Sequence, residues 1–77
     1  MRSTAEQHAL ETLLELGARL PYHFTARQLR HEYRRLVHRL HPDRCVAASD
    51  AERERATRLF IDALEHYRVL RAAVEDE

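Results

Sequence analysis

One stretch of this 77-residue chain limits its fold more than any other, because a helical apolar pattern there runs directly into a proline. Apolar side chains recur after Ala26 at the spacing of one face of an α-helix. They are Leu29, Tyr33, Leu36, Val37 and Leu40. Pro42 lacks the backbone N–H that a continuing helix needs, and it disfavours helical dihedral angles at His41. The pattern predicts a helix over about 26–40 that ends at His41-Pro42-Asp43.

The opposite face of this predicted helix is basic. Five side chains gather there: Arg27, Arg30, Arg34, His31 and His38. A charged helix face is most often an ordinary solvated surface, and that interpretation is favoured for the stripe taken alone. A face that meets an acidic partner is the alternative interpretation.

Two further helices are predicted from their start signals. A capping box opens each of the three helices: a Ser or Thr hydroxyl and a Glu or Gln side chain three residues later satisfy free backbone N–H groups. The boxes are Ser3 with Glu6, Thr25 with Gln28, and Ser49 with Glu52. Helix one is predicted over about 4–16 and helix three over about 50–72. Gly17 is placed to end helix one in the left-handed conformation.

The apolar positions of these helices indicate one shared core. Helix one offers Leu10, Leu13 and Leu14, and helix three offers Ala56, Phe60, Ala63, Leu64, Tyr67 and Leu70. In the connection between helices one and two, we expect Leu20, Tyr22 and Phe24 to close the end of the core. The sequence therefore predicts one all-α domain over 1–77. Helices two and three form an antiparallel hairpin in this prediction, and a shorter first helix packs across it.

Composition narrows the possible partners and compartments. Thirteen basic and thirteen acidic residues cancel, so net charge gives no overall attraction to nucleic acid or to an anionic membrane. The single cysteine, Cys45, excludes an internal disulfide and a cysteine-based zinc site. No stretch approaches the roughly 20 apolar residues of a membrane span, and no apolar run follows the first residues as in a secretion signal. We expect a cytoplasmic protein.

The region around Pro42 resembles the J domain, the DnaJ-type module that docks on DnaK-type heat-shock chaperones. The similarity is to the family's second helix and signature loop, and the residues that carry it are Tyr33-x-x-Leu36-Val37-x-x-Leu40-His41-Pro42-Asp43. A bare His-Pro-Asp tripeptide is weak evidence, but its place after this apolar register is far more specific.

The resemblance extends over about residues 9–70. Leu13-x-x-Leu16-Gly17 is similar to the close of the family's first helix, with Leu13 where an aromatic residue is common. Phe60, Tyr67 and Leu70 are similar to the pattern of the third helix. The chain departs from the pattern in two longer connections and at His66, where the family usually has a small Ala. Little sequence remains for the family's short fourth helix.

The resemblance implies a co-chaperone function. A J domain docks at the ATPase and interdomain linker region of its DnaK-type chaperone and stimulates ATP hydrolysis there. It has no enzymatic activity of its own and needs no cofactor. The residues of this chain expected to meet the chaperone are His41, Pro42, Asp43, Arg27, Arg30, Arg34, Arg35 and Arg44.

Two other functions remain open at the level of sequence. A J-like adaptor would keep the fold without stimulating an ATPase, and a small nucleic-acid-binding protein would use the Arg-rich helix on phosphates. A metal site is not expected, because no Cys or carboxylate joins His31, His38 and His41 at a matching spacing. His41 with Asp43 also lacks the nucleophile that a catalytic triad requires.

Overall fold

The computed structural model describes residues 2–40 and 49–74, which form three α-helices and no strand within those ranges. The helices are α1 (Thr4–Glu15), α2 (Ala26–Leu40) and α3 (Asp50–Val74). The predicted all-α fold is confirmed. The predicted bounds are confirmed to within two residues, since α1 ends slightly earlier and α3 continues slightly further. His41, Pro42, Asp43, Arg44 and Cys45 lie outside the described residues.

Local capping explains where the helices begin. The Thr25 box is reciprocal: the Thr25 N–H donates to Gln28 Oε1 at 2.8 Å, and the Gln28 N–H donates to Thr25 Oγ1 at 3.1 Å. In the other two boxes a Ser hydroxyl accepts from a backbone N–H three residues on; these are Ser3 with Glu6 at 3.1 Å and Ser49 with Glu52 at 3.2 Å. All three predicted starts are confirmed by these bonds.

Gly17 ends α1 in the predicted left-handed conformation, with φ at 113°. Its N–H donates to Leu14 O at 3.0 Å, and the Ala18 N–H donates to Leu13 O at 2.9 Å. A Cβ atom at Gly17 would collide with the guanidinium of Arg39. The backbone angle is what requires glycine here, because the Arg39 guanidinium is the end of a flexible side chain that can move aside.

The three helices share one core. Its buried members are Ala9, Leu10, Leu13, Ala18, Phe24, Leu29, Leu36, Ala63, Tyr67 and Leu70. Against this core, Tyr33 of α2 stacks on Tyr67 of α3, with ring centroids 3.9 Å apart and planes within 6°. Ala56, Phe60 and Leu64, which were predicted to join this core, are only half-buried.

Two predicted core residues are exposed, and these predictions are wrong. Leu14 is 41% exposed because it lies one helical step beyond Leu13, outside the narrow stripe that Ala9, Leu10 and Leu13 bury against α3. Tyr22 is 63% exposed, and the Arg2 guanidinium lies 4.6 Å from the centre of its ring. Of the apolar residues in this connection, Phe24 is buried and Leu20 packs against the core as predicted.

Contacts at the two ends of the helices fix their directions. Phe24, just before α2, lines the same surface groove as Leu70 and Val74 near the end of α3, whereas Tyr33 in mid-α2 meets Tyr67. α2 and α3 therefore run in opposite directions. Arg2 and Glu6 also line that groove, which places the start of α1 at the end of α3. Within residues 2–40 and 49–74, no helix combines the length and the apolar composition that a bilayer crossing demands.

Candidate partner-binding surface

Three arginines form a basic stripe along the exposed side of α2. Arg27, Arg30 and Arg34 are all exposed, and their spacing of three and four residues places them on one side of the helix. From the rise of about 1.5 Å per residue, the Cα atoms of Arg27 and Arg34 are about 10 Å apart along the axis. Among the described residues, none of the three pairs with a carboxylate. Their guanidinium groups face solvent and are of the type that binds carboxylates.

The stripe is held in place by the buried side of the same helix. Leu29 and Leu36 are each only 1% exposed, and Tyr33 stacks on α3 between them. Because these residues fix the rotation of α2 about its axis, the opposite side must face solvent. The sequence-based assignment of this helix face is confirmed.

Arg35 is among the residues that the resemblance predicts to meet the chaperone, but the structure places it apart from Arg27, Arg30 and Arg34. Its Nη2 donates to Glu32 Oε1 at 2.9 Å and to Gly17 O, also at 2.9 Å, and its Nε lies 3.3 Å from the same carboxylate oxygen. The guanidinium thus joins α2 to the end of α1. Arg35 is engaged within the molecule and does not belong to the exposed stripe.

Glu32 is the acceptor at the centre of this network, and sequence reasoning missed it. The residue is 9% exposed, and its Oε1 also accepts the Arg19 N–H at 2.6 Å. The hydrogen bond from Arg35 lowers the pKa of Glu32, and the Arg19 N–H lowers it further, whereas burial opposes both. The spacing held a signal, because Glu32 lies three residues after Leu29 and four before Leu36, inside the buried sector.

Arg39 is a second missed contact between α1 and α2. Its Nη2 donates to Leu16 O at 2.6 Å, while Arg35 binds the next carbonyl oxygen, that of Gly17. The last carbonyl groups of a helix have no partner within the helix and need one from elsewhere. Two arginines of α2 therefore cap the end of α1 and fix the connection between the two helices.

The remaining predicted site residues follow α2 directly. Leu40 is the last described residue of α2, and His41 is the next residue in the sequence. The roles of His41, Pro42, Asp43 and Arg44 fall on residues that are not described and stay predictions. Arg27, Arg30 and Arg34 are thus the members of the predicted site that the structure brings together.

Histidines form contacts of a different kind. His8 of α1 and His66 of α3 meet edge to face with ring centroids 5.4 Å apart, and His66 Nδ1 lies 2.7 Å from Asp62 O. Since a carbonyl oxygen only accepts, that nitrogen carries the proton in this contact. His31 and His38 are exposed on α2. In the part of the chain that the structure describes, no three His, Cys, Asp or Glu residues form a metal-binding group.

No family model, curated protein or solved structure matches this chain. The resemblance to a J domain therefore rests on the residues and spacings of the sequence given above. What the structure adds is an all-α fold and the basic stripe that lies just before His41-Pro42-Asp43 in the chain.

Proposed function

We propose that this chain is a J-domain-like co-chaperone, which docks on a DnaK-type chaperone and stimulates its ATP hydrolysis. One observation carries the proposal: Arg27, Arg30 and Arg34, which pair with no carboxylate among the described residues, lie on the exposed face of a helix that ends immediately before the His-Pro-Asp tripeptide. The three-helix fold is the fold that the resemblance predicts, which also supports it. In this proposal the protein has no catalytic activity and no cofactor, and it acts in the cytoplasm.

The stripe suits an acidic surface on the chaperone. Guanidinium groups form charge-assisted hydrogen bonds with carboxylates, often in a two-pronged geometry that also fixes orientation. Arg30 and Arg34 lie about one helical turn apart, so one acidic strip can meet both. Their field also accelerates encounter with a negatively charged surface, and salt weakens that effect.

The tripeptide supplies the second part of the proposed contact. Pro42 has a fixed φ angle and lacks the N–H of a continuing helix, so the sequence predicts that α2 stops before His41-Pro42-Asp43. Asp43 is followed by Arg44 and preceded by the basic stripe, so it is an acceptor in basic surroundings and suits an arginine of the chaperone. Arg44 adds a further cation beside it.

The decisive experiment is single-turnover ATP hydrolysis by DnaK-type chaperones of the same organism, with wild-type protein and Asp43→Asn side by side. We expect the wild type to stimulate hydrolysis and the variant to lose that stimulation while its helical circular dichroism is unchanged. Arg58→Ala is the control, because Arg58 lies on α3 in a different surface groove and is expected to leave stimulation intact. A folded wild type that stimulates none of these chaperones would contradict the proposal.

The two rival functions give different results in the same series. A J-like adaptor would bind the chaperone without raising its rate of hydrolysis. A nucleic-acid-binding protein would bind DNA or RNA with strong salt dependence, and that binding would be unchanged in Asp43→Asn. Neither outcome is expected for the proposed co-chaperone.

A further inference from the structure

A groove beside the basic stripe is lined by polar and charged residues, and Arg27 is the one among them that the proposed function already uses. It has a volume of about 380 Å³ and lies between α2 and the connection from α1; its lining residues are Arg19, Arg27, Gln28, His31 and Glu32. Arg27 belongs both to this groove and to the stripe. The groove therefore continues the stripe toward the start of α2.

The groove is rich in donors. Gln28 Oε1 is already occupied by the Thr25 N–H, which leaves the Nε2 group of Gln28 as a donor. Arg27 lies one helical turn before His31, and Arg19 approaches from the connection. Within the described residues, neither the Arg19 nor the Arg27 guanidinium has a carboxylate partner.

The one carboxylate in the groove is already engaged. Glu32 receives the Arg35 guanidinium and the Arg19 N–H on Oε1, while its other oxygen lies 3.9 Å from His31 Nε2. The bond to the Arg19 N–H holds the backbone at the edge of the groove, which places the Arg19 side chain there. With the charge of Glu32 balanced by Arg35, the guanidiniums of Arg19 and Arg27 give the groove an excess of positive charge.

We infer that this groove binds an acidic side chain from a protein segment that lies along the basic stripe. A segment that meets Arg34, Arg30 and Arg27 in turn reaches the groove next, where Arg19 and the Gln28 amide can receive a carboxylate. The inference rests on the proposed function only in assigning that segment to the chaperone. A protein carboxylate is favoured over nucleic acid because the groove presents no Phe, Tyr or Trp platform for a base and the chain has no net charge.

Arg19→Ala tests the groove without disturbing the fold. The substitution removes the guanidinium but keeps the Arg19 N–H that Glu32 accepts. The probe is a hexaglutamate peptide, titrated at low ionic strength into isotopically labelled protein and followed by backbone amide shifts. We expect saturable shifts at residues 19, 27, 28 and 31 in the wild type and about fivefold weaker binding in Arg19→Ala, the size expected for one exposed ion pair. Arg58→Ala is the charge-matched control and should bind like the wild type.

Equal affinity of Arg19→Ala and wild type for hexaglutamate would overturn the inference. So would an oligothymidylate that binds more tightly than hexaglutamate and loses affinity in Arg19→Ala, because the groove would then prefer phosphate. Single-turnover ATP hydrolysis separates the two proposals. Peptide binding at the groove without any stimulation would remove the proposed function and leave the groove assignment standing. Stimulation by the wild type with no peptide shifts at the groove would do the reverse.

Discussion

The five arginines of α2 fall into two groups with opposite roles. Arg35 and Arg39 bind the carbonyl groups of Gly17 and Leu16, and Arg35 also pairs with a buried carboxylate. Arg27, Arg30 and Arg34 face solvent, and among the described residues they pair with no carboxylate. The residue type is the same throughout, and only the angle around the helix axis differs.

Arg34 and Arg35 make the comparison sharpest, because they are neighbours in sequence. One residue along a helix is a rotation of about 100°, which is enough to turn a side chain from the solvent-exposed side toward the end of α1. An arginine-rich helix is therefore not one basic surface. In this protein part of its charge holds the fold together, and the rest is available for recognition.

The largest loss of stability is expected on the buried side of α2, which holds both groups of arginines in position. Leu36→Ala should lower the free energy of unfolding by about 2 to 5 kcal/mol, because it leaves a cavity in a small core. Urea unfolding followed by circular dichroism measures it. Leu14→Ala is the matched control, since Leu14 is exposed, and it should change stability by less than about 0.5 kcal/mol. Equal losses in the two variants would mean that the buried sides of these helices are assigned wrongly.

A smaller loss of stability is expected from substitutions at the neighbouring residues Arg34 and Arg35. Arg35→Ala should cost about 1 to 3 kcal/mol of unfolding free energy, because it leaves the Glu32 carboxylate with only the Arg19 N–H as donor and removes the arginine that binds the Gly17 carbonyl. Arg34→Ala should cost less than about 0.5 kcal/mol, because its side chain is solvent-exposed. The same urea titration compares them. If Arg34→Ala proved the more destabilising variant, the division of the helix into two groups would not hold.

The pH dependence of the unfolding free energy should report the contact between Arg35 and Glu32, and not the exposed arginines Arg27, Arg30 and Arg34. The ordinary pKa of Glu32 is 4.5, and its folded-state pKa is lower. In the interval between these values the unfolded chain binds more protons than the folded chain, so the Glu32 contribution is complete above pH 4.5 and is lost as the pH falls through the folded-state value. Urea unfolding at a series of pH values below 4.5 should show a smaller loss in Glu32→Gln than in the wild type. Parallel curves for the two proteins would argue against the role of Glu32.

The smallest effect on stability is expected for the exposed arginines Arg27, Arg30 and Arg34. Their substitution is better tested by measuring association with the chaperone. Arg30→Ala should unfold like the wild type to within about 0.5 kcal/mol. Its association with a DnaK-type chaperone should be slower, and the rate should depend less on ionic strength, because one steering charge is gone. Stopped-flow association at several salt concentrations tests this. An unchanged salt dependence would exclude Arg30 from the docking face.

Much of this arrangement was predictable from the sequence. The helix starts, the end of α1 at Gly17 and the outward direction of Arg27, Arg30 and Arg34 all follow from spacing and capping. Two residues were wrongly assigned to the core, for reasons that spacing does not reveal. Leu14 lies just outside a stripe that Ala9 helps to form, and Tyr22 stays at the surface with Arg2 over its ring.

The sequence by itself determined which segments are helical and which side of α2 is basic, because helix hydrogen bonds and caps join residues only three or four positions apart. The tertiary structure alone decided which arginines are engaged. Arg35 and Arg39 meet carbonyl groups 18 and 23 positions away, which requires α1 and α2 to pack on α3 so that the end of α1 lies within reach of α2. That docking depends on how three apolar stripes fit into one core, a property of the whole chain that no local spacing contains.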